Sequence, residues 1–241
     1  MKIVGIALVS LFALVASQVI SAAQNEYPSI APLAQYLMPH DAEMALARSA
    51  APDSVSSHAE ILVLSATGFQ TAGNGTNGFV CLVARSWSAG FDDPDFWNPR
   101  LRAPICYNDL AARSQVPATI KLTQLALGGA SKKEILKSIK EASESGELPR
   151  AISGSMSYMM SKQGYLSRRS GHWLPHLMFF TSDTDPVVWG AGMPDSPVLG
   201  IKQPEQHLTV FLVPIGRWSD GTAAPGTTHK RLLPTVSSQR H

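Results

Sequence analysis

The order of the apolar runs constrains this chain more than any other feature. Runs of strand length come early, at residues 60–66 and 79–85. Helical patterns then interrupt, over 117–127 and 131–146, and strand-length runs return at 155–161, 176–181, 197–201 and 207–213. Strands, then helices, then strands again argue for an α+β fold with a mainly antiparallel sheet and two or three helices. A doubly wound parallel sheet needs regular alternation of strand and helix, which is absent. The chain has 241 residues, and at about 150 residues per domain one domain accounts for it. No repeat recurs at periods of about 20–50 residues, which argues against solenoids and propellers.

The first segment reads as an address. Lys2 is followed by an almost wholly apolar run over 3–20, then by the small residues Ser21, Ala22 and Ala23, then by polar Gln24, Asn25 and Glu26. That is the pattern of a secretory signal peptide cleaved after Ala23. No Cys lies near the cleavage point, which disfavours a lipid anchor, and no later run is long and apolar enough to cross a bilayer. The expected organisation is therefore a signal peptide at 1–23, a single domain at 24–218, and a disordered Gly/Thr/Pro-rich tail at 219–241. The expected compartment is the periplasm or the extracellular space.

Export gives the cysteines their meaning. Cys81 and Cys106 are the only two, and an even pair in an oxidising compartment predicts a disulfide that staples the domain. The absence of a CxxC spacing disfavours a redox role. A formal net charge of +2 with 16% charged residues leaves no electrostatic footprint for nucleic acid. The same composition does not describe a disordered chain.

Several local signals are sharper. Ser131 with Glu134 matches a capping box. Behind it Ile135, Leu136, Ile139 and Ala142 line one face of an amphipathic helix ending near Gly146. Asp185 followed by Pro186 opens a short helix over 187–189. Asp41 is placed to cap a helix running to Arg48. The Gly/Asn-rich stretch 68–78 is expected to be the long tip of an antiparallel hairpin joining the first two strands, with positive φ supplied by Gly or Asn. Within it Asn74, Gly75 and Thr76 match a glycosylation sequon, relevant only in a eukaryotic host. Residues 87–107 read as irregular, with acidic and aromatic residues interleaved.

The segments most able to carry chemistry are 158–162 and 171–180. His172 and His176 have the spacing of helical zinc ligands, but Pro175 between them argues against a helix. On an extended strand they stand about 13 Å apart and cannot share a metal. His207 opens the last strand. If that strand neighbours 176–180, His176, His207 and Tyr158 would converge as a catalytic acid–base pocket. Asn77, His172 and Trp173 are the candidate ligand-binding residues, placing a pocket between the 172–176 segment and the loop 73–78. Met156, Met159, Met160 and Met178 have the thioethers that Cu(I) favours, though Met at strand spacing more often fills core. No G-x-S-x-G, S-x-x-K, Walker A or GxGxxG motif occurs, and Asp92, Asp93 and Asp95 miss the calcium-loop pattern. The reading therefore assigns no metal and no cofactor.

Four segments together also carry a resemblance. Gly75, Thr76, Asn77, Gly78 and Phe79 lead to Cys81; Pro104, Ile105, Cys106 and Tyr107 follow; then come Ser157 to Ser161, and Pro175, His176, Leu177, Met178 and Phe179. The combination, across residues 60–213, resembles a group of uncharacterised exported bacterial proteins. The resemblance implies export and a bacterial envelope setting, with no activity, and carries His176 as a shared position without a role. The first expectation is thus an exported protein that binds a small molecule or a cell-envelope component, with its oligomeric state open. A metal-independent hydrolase built on the His/Tyr pocket is the alternative, and a zinc- or copper-binding protein the third.

Overall fold

A computed structural model describes residues 27–166 and 173–225. The expected signal peptide at 1–23, residues 167–172 with His172, and residues 226–241 of the expected tail lie outside the described residues.

After a 3-10 turn at Leu33–Gln35, helices α1 (His40–Arg48) and α2 (Asp53–Ser56) precede strands β1 (Glu60–Ser65), β2 (Gly68–Gly73), β3 (Val80–Ala84) and β4 (Ala103–Tyr107). Helices α3 (Asp109–Leu127) and α4 (Lys132–Glu144) follow. Strands β5 (Met156–Met159), β6 (His176–Ser182), β7 (Leu199–Gln203) and β8 (Leu208–Pro214) close the chain. The strands form one eight-stranded sheet in the order β2-β1-β3-β4-β5-β6-β8-β7. Every pairing is antiparallel except β1 with β3. The α+β class and the largely antiparallel sheet are those read from the sequence.

The sheet is covered on both faces, and the period of two sorts the side chains. Ile61, Val63, Cys81, Val83 and Cys106 face α1, whose Leu46 and Ala47 pack on them. Their neighbours Leu62, Leu82, Ala84, Ile105 and Tyr107 face the opposite way, toward α3. Two-sided burial explains why β1 and β3 read as unbroken apolar runs rather than alternating ones. Cys81 stands directly opposite Cys106 across β3 and β4, and the two form the disulfide.

The expected hairpin is corrected. Residues 68–73 are not a loop tip but a strand, β2, folded back on β1 through a tight turn at 66–67. β3 then returns on the other side of β1 and runs parallel to it, pairing only Glu60 with Val80 and Ile61 with Cys81. The crossover needs close backbone approach: a Cβ at Gly75 would collide with Glu60 N, and Gly78 has φ +77°.

Beyond Ile61 the gap between β1 and β3 is filled by side chains. Glu43, on α1, accepts from Leu64 N at 3.0 Å and from Arg85 Nη2 at 2.8 Å. Arg85 also donates to the carbonyls of Tyr36 and Val83. Both members of this ion pair are sealed from solvent.

The helices follow their local chemistry. Ser131 and Glu134 close the capping box, and Ile135, Ile139 and Ala142 of the predicted stripe are buried, whereas Leu136 is exposed. α3 begins eight residues before the expected start at Pro117, because the Asn108 side chain caps it by accepting from Ala111 N. Pro117 is interior, not initial. Asp41 sits in the first turn of α1, behind Pro39 at the cap, and is not the cap itself. Asp185 accepts from Val187 N and opens the 3-10 turn Pro186–Trp189 as expected. Residues 219–225, assigned to the tail by the sequence reading, form a turn in which Trp218 N donates to Thr222 O and Ala224 N to Gly216 O.

Candidate functional site

A cavity of about 270 Å³ lies between α3 and the sheet. Its floor is the inner face of β4, β6 and β8, including Ala103, Ile105, Phe180, Val210 and Leu212. Its roof is α3, through Gln115, Ala118, Thr119 and Leu122. Ser88, Gly90 and Asp93, with Ile201, Gln203 and Gln206, complete the lining. The volume comes from small side chains at facing positions. Ala84 and Ala103 are a direct cross-strand pair, and Ala118 faces them from the helix side of the same cavity.

His176 lines this cavity and is 4% exposed. Strand register places it opposite Met159 and in phase with Met178 and Phe180, so its ring is on the α3 side. Its Nδ1 lies 2.8 Å from the carbonyl of Leu174. A carbonyl only accepts, so Nδ1 carries the proton and Nε2 keeps its lone pair. Burial pushes the His176 pKa below the usual imidazole value, against the smaller opposing pull of the Leu174 carbonyl. The ring is therefore neutral at pH 7. Trp173 stands beside it, ring centroids 5.7 Å apart, and lines the same cavity.

The roof contributes several side-chain hydrogen bonds. Thr119 Oγ1 donates to the Gln115 carbonyl at 3.2 Å. Burial pushes the Tyr107 hydroxyl up to about 12, opposed by its hydrogen bond with Thr119. Gln115 Nε2 donates to Ser114 Oγ at 3.1 Å, and that hydroxyl donates onward to the Leu110 carbonyl at 2.8 Å. The orientation of the Gln115 amide follows from this sequence of donors.

Only part of the sequence-derived site assembles here. His176 and Trp173 come together in the cavity wall. Tyr158 does not join them. It pairs with Leu177, one residue out of phase with His176, so its side chain is on the α1 face, 6.2 Å from Phe79. His207 does not join them either. β6 and β8 do neighbour each other, but antiparallel: His176 is opposite Pro214, and Leu208 is opposite Ser182. That puts His207 about 20 Å away at the far end of the strand pair. There it pairs through Nδ1 with Asp183 at 3.2 Å.

Asn77 is a structural pin. It donates to the Val55 carbonyl at 2.8 Å and accepts from Phe79 N at 3.1 Å. None of residues 73–78 lines the cavity, which Trp173 and His176 do line. His172 lies outside the described residues. Among the described residues no three His, Cys, Asp or Glu side chains gather as a metal-binding set.

Gln115, Thr119, Tyr107 and the small residues at 84, 103 and 118 were invisible as site residues in the sequence. Their common property is a position on one cavity wall, which only strand register and the placement of α3 reveal. No protein family, curated protein or solved structure matches this chain. Among the described residues no helix is long and apolar enough to cross a membrane.

Proposed function

We propose that this chain is an exported binding protein that holds a small apolar molecule between α3 and the inner face of β4, β6 and β8. The observation that carries the reading is the cavity itself. It is lined mainly by apolar side chains, with a few buried polar groups at defined positions, which is the usual make-up of a small-molecule site. A dry apolar cavity of roughly 150 Å³ suffices for benzene, and this one, at about 270 Å³, takes a larger ligand. The disulfide supports export, as does the signal-like sequence at 1–23.

The separation of His176 from Tyr158 and His207 favours binding over acid–base chemistry. What remains at His176 is one neutral imidazole beside an aromatic ring, a recognition element rather than a pair of catalytic groups. The test is a titration of the purified chain with N-phenyl-1-naphthylamine, whose fluorescence rises in apolar surroundings. Saturation at one probe per chain is expected. No saturable rise, with the chain folded, overturns the reading.

A further inference from the structure

We propose that the cavity selects neutral ligands bearing a hydrogen-bond donor, alcohols and phenols, over carboxylates and plain hydrocarbons of the same shape. This rests on the ligand-binding reading above and adds the chemical class of the ligand.

The polar valences left open in the lining decide which ligand is held. His176 Nδ1 is committed to the Leu174 carbonyl, so the ring offers only an acceptor, Nε2. Nε2 has no partner among the described residues, and it is not one of the buried atoms sealed without a partner. It is therefore reachable from the cavity that the ring lines. Gln115 presents the same valence. Its Nε2 is held by Ser114 Oγ, whose own proton goes to the Leu110 carbonyl, and its Oε1 is left open. Thr119 uses its proton on the Gln115 carbonyl.

Charge points the same way. Among the described residues the cavity lining has two charged side chains, Arg85 and Asp93. Arg85 is paired with Glu43 and with the carbonyls of Tyr36 and Val83. Asp93, half-buried, accepts from Asp95 N. Among the described residues no unpaired cation is offered to an anion; the other open donors of the lining, Ser88 Oγ and Gln203 Nε2, are neutral, and a carboxylate entering this site would also meet two lone pairs and a like charge. Burying an anion without a partner is far costlier than burying a hydroxyl that finds an acceptor. A hydrocarbon loses less but leaves Nε2 and Oε1 without a donor.

The test is displacement of N-phenyl-1-naphthylamine by three ligands of one shape at pH 7: 1-naphthol, 1-methylnaphthalene and 1-naphthoate. One net hydrogen bond corresponds to about five- to tenfold in affinity. The expected order is 1-naphthol tighter than 1-methylnaphthalene by about that factor, with 1-naphthoate weakest. In His176→Phe the advantage of 1-naphthol over 1-methylnaphthalene should shrink, while 1-methylnaphthalene binding persists. The ranking on the unaltered chain decides the matter if that variant does not fold. Equal affinity of 1-naphthol and 1-methylnaphthalene overturns the acceptor proposal and leaves the ligand-binding reading standing, as does a preference for 1-naphthoate. A probe that does not bind at all overturns both.

Discussion

Ala118→Leu should stabilise the protein and weaken its ligand binding at once. Core enlargements usually do the opposite of the first, because a close-packed interior has no space for added atoms. Here Ala118 is 7% exposed and its methyl group borders a cavity of about 270 Å³. Leu adds three carbons. At about 0.8 kcal/mol per buried methylene the transfer gain is about 2.4 kcal/mol. Fixing the Leu rotamer costs about 0.5–1 kcal/mol, and Leu is nearly as good a helix former as Ala. The net expectation is about 1.5 kcal/mol of added stability, which for a chain of this size is a rise of about 3–6 °C in Tm. The assay is paired: urea denaturation for stability, N-phenyl-1-naphthylamine titration for binding. The two readouts should move in opposite directions, since the side chain fills the volume that the ligand would occupy. A destabilised variant with unchanged binding would refute the reasoning, because it would mean that the space beside Ala118 is already packed.

Three further outcomes are expected. Glu43→Gln leaves the Arg85 guanidinium buried without its counter-charge and should cost about 3–5 kcal/mol by urea denaturation; a loss under 1 kcal/mol would mean that the pair is solvated. Replacing Cys81 and Cys106 together by Ala reopens a loop with a sequence separation of 25 and should cost about 3.5 kcal/mol in the chain-entropy account; an unchanged denaturation midpoint would contradict it. For pH, burial holds the folded His176 pKa below the unfolded value of 6.5. Between the two the unfolded chain binds the extra proton, so this contribution is complete above about 6.5 and is lost as pH falls toward the folded pKa. His176→Phe should flatten the stability profile just below pH 6.5; an identical slope in both proteins would remove His176 as its source.

Those parts of the fold that rest on local chemistry were legible in the sequence. Ser131 with Glu134 and Asp185 with Pro186 announce their helices through hydrogen bonds within a few residues. Elements that depend on distant partners were not. β2 is Phe69, Gln70, Thr71 and Ala72 between glycines, an edge strand whose exposed polar face hides it. β4 contains Pro104, which argues against a central strand. It is tolerated because β5 pairs with β4 only at Cys106 and Tyr107, past the proline. The pattern over 117–127 marks only the second half of α3, whose start at Asp109 depends on the Asn108 cap.

The site divides along the same line. Trp173 and His176 lie close in sequence, on one side of the cavity, and were found together. The roof comes from α3 and the floor from three strands, and no local pattern links them. The supposed meeting of His176 with His207 required β6 and β8 to be neighbours, which they are, and to start at the same end, which antiparallel pairing forbids. Tyr158 was lost to a phase shift of one residue, enough to move a side chain through the sheet.

The most direct test of the central claim is a crystal of the protein pressurised with xenon. Xenon enters apolar cavities without needing hydrogen bonds, so it reports the space independently of ligand identity. The account predicts a xenon peak bounded by Ala103, Phe180, Ala118 and Leu212. An undisturbed crystal with no peak between α3 and the sheet would contradict it, and with it the binding function argued from that space.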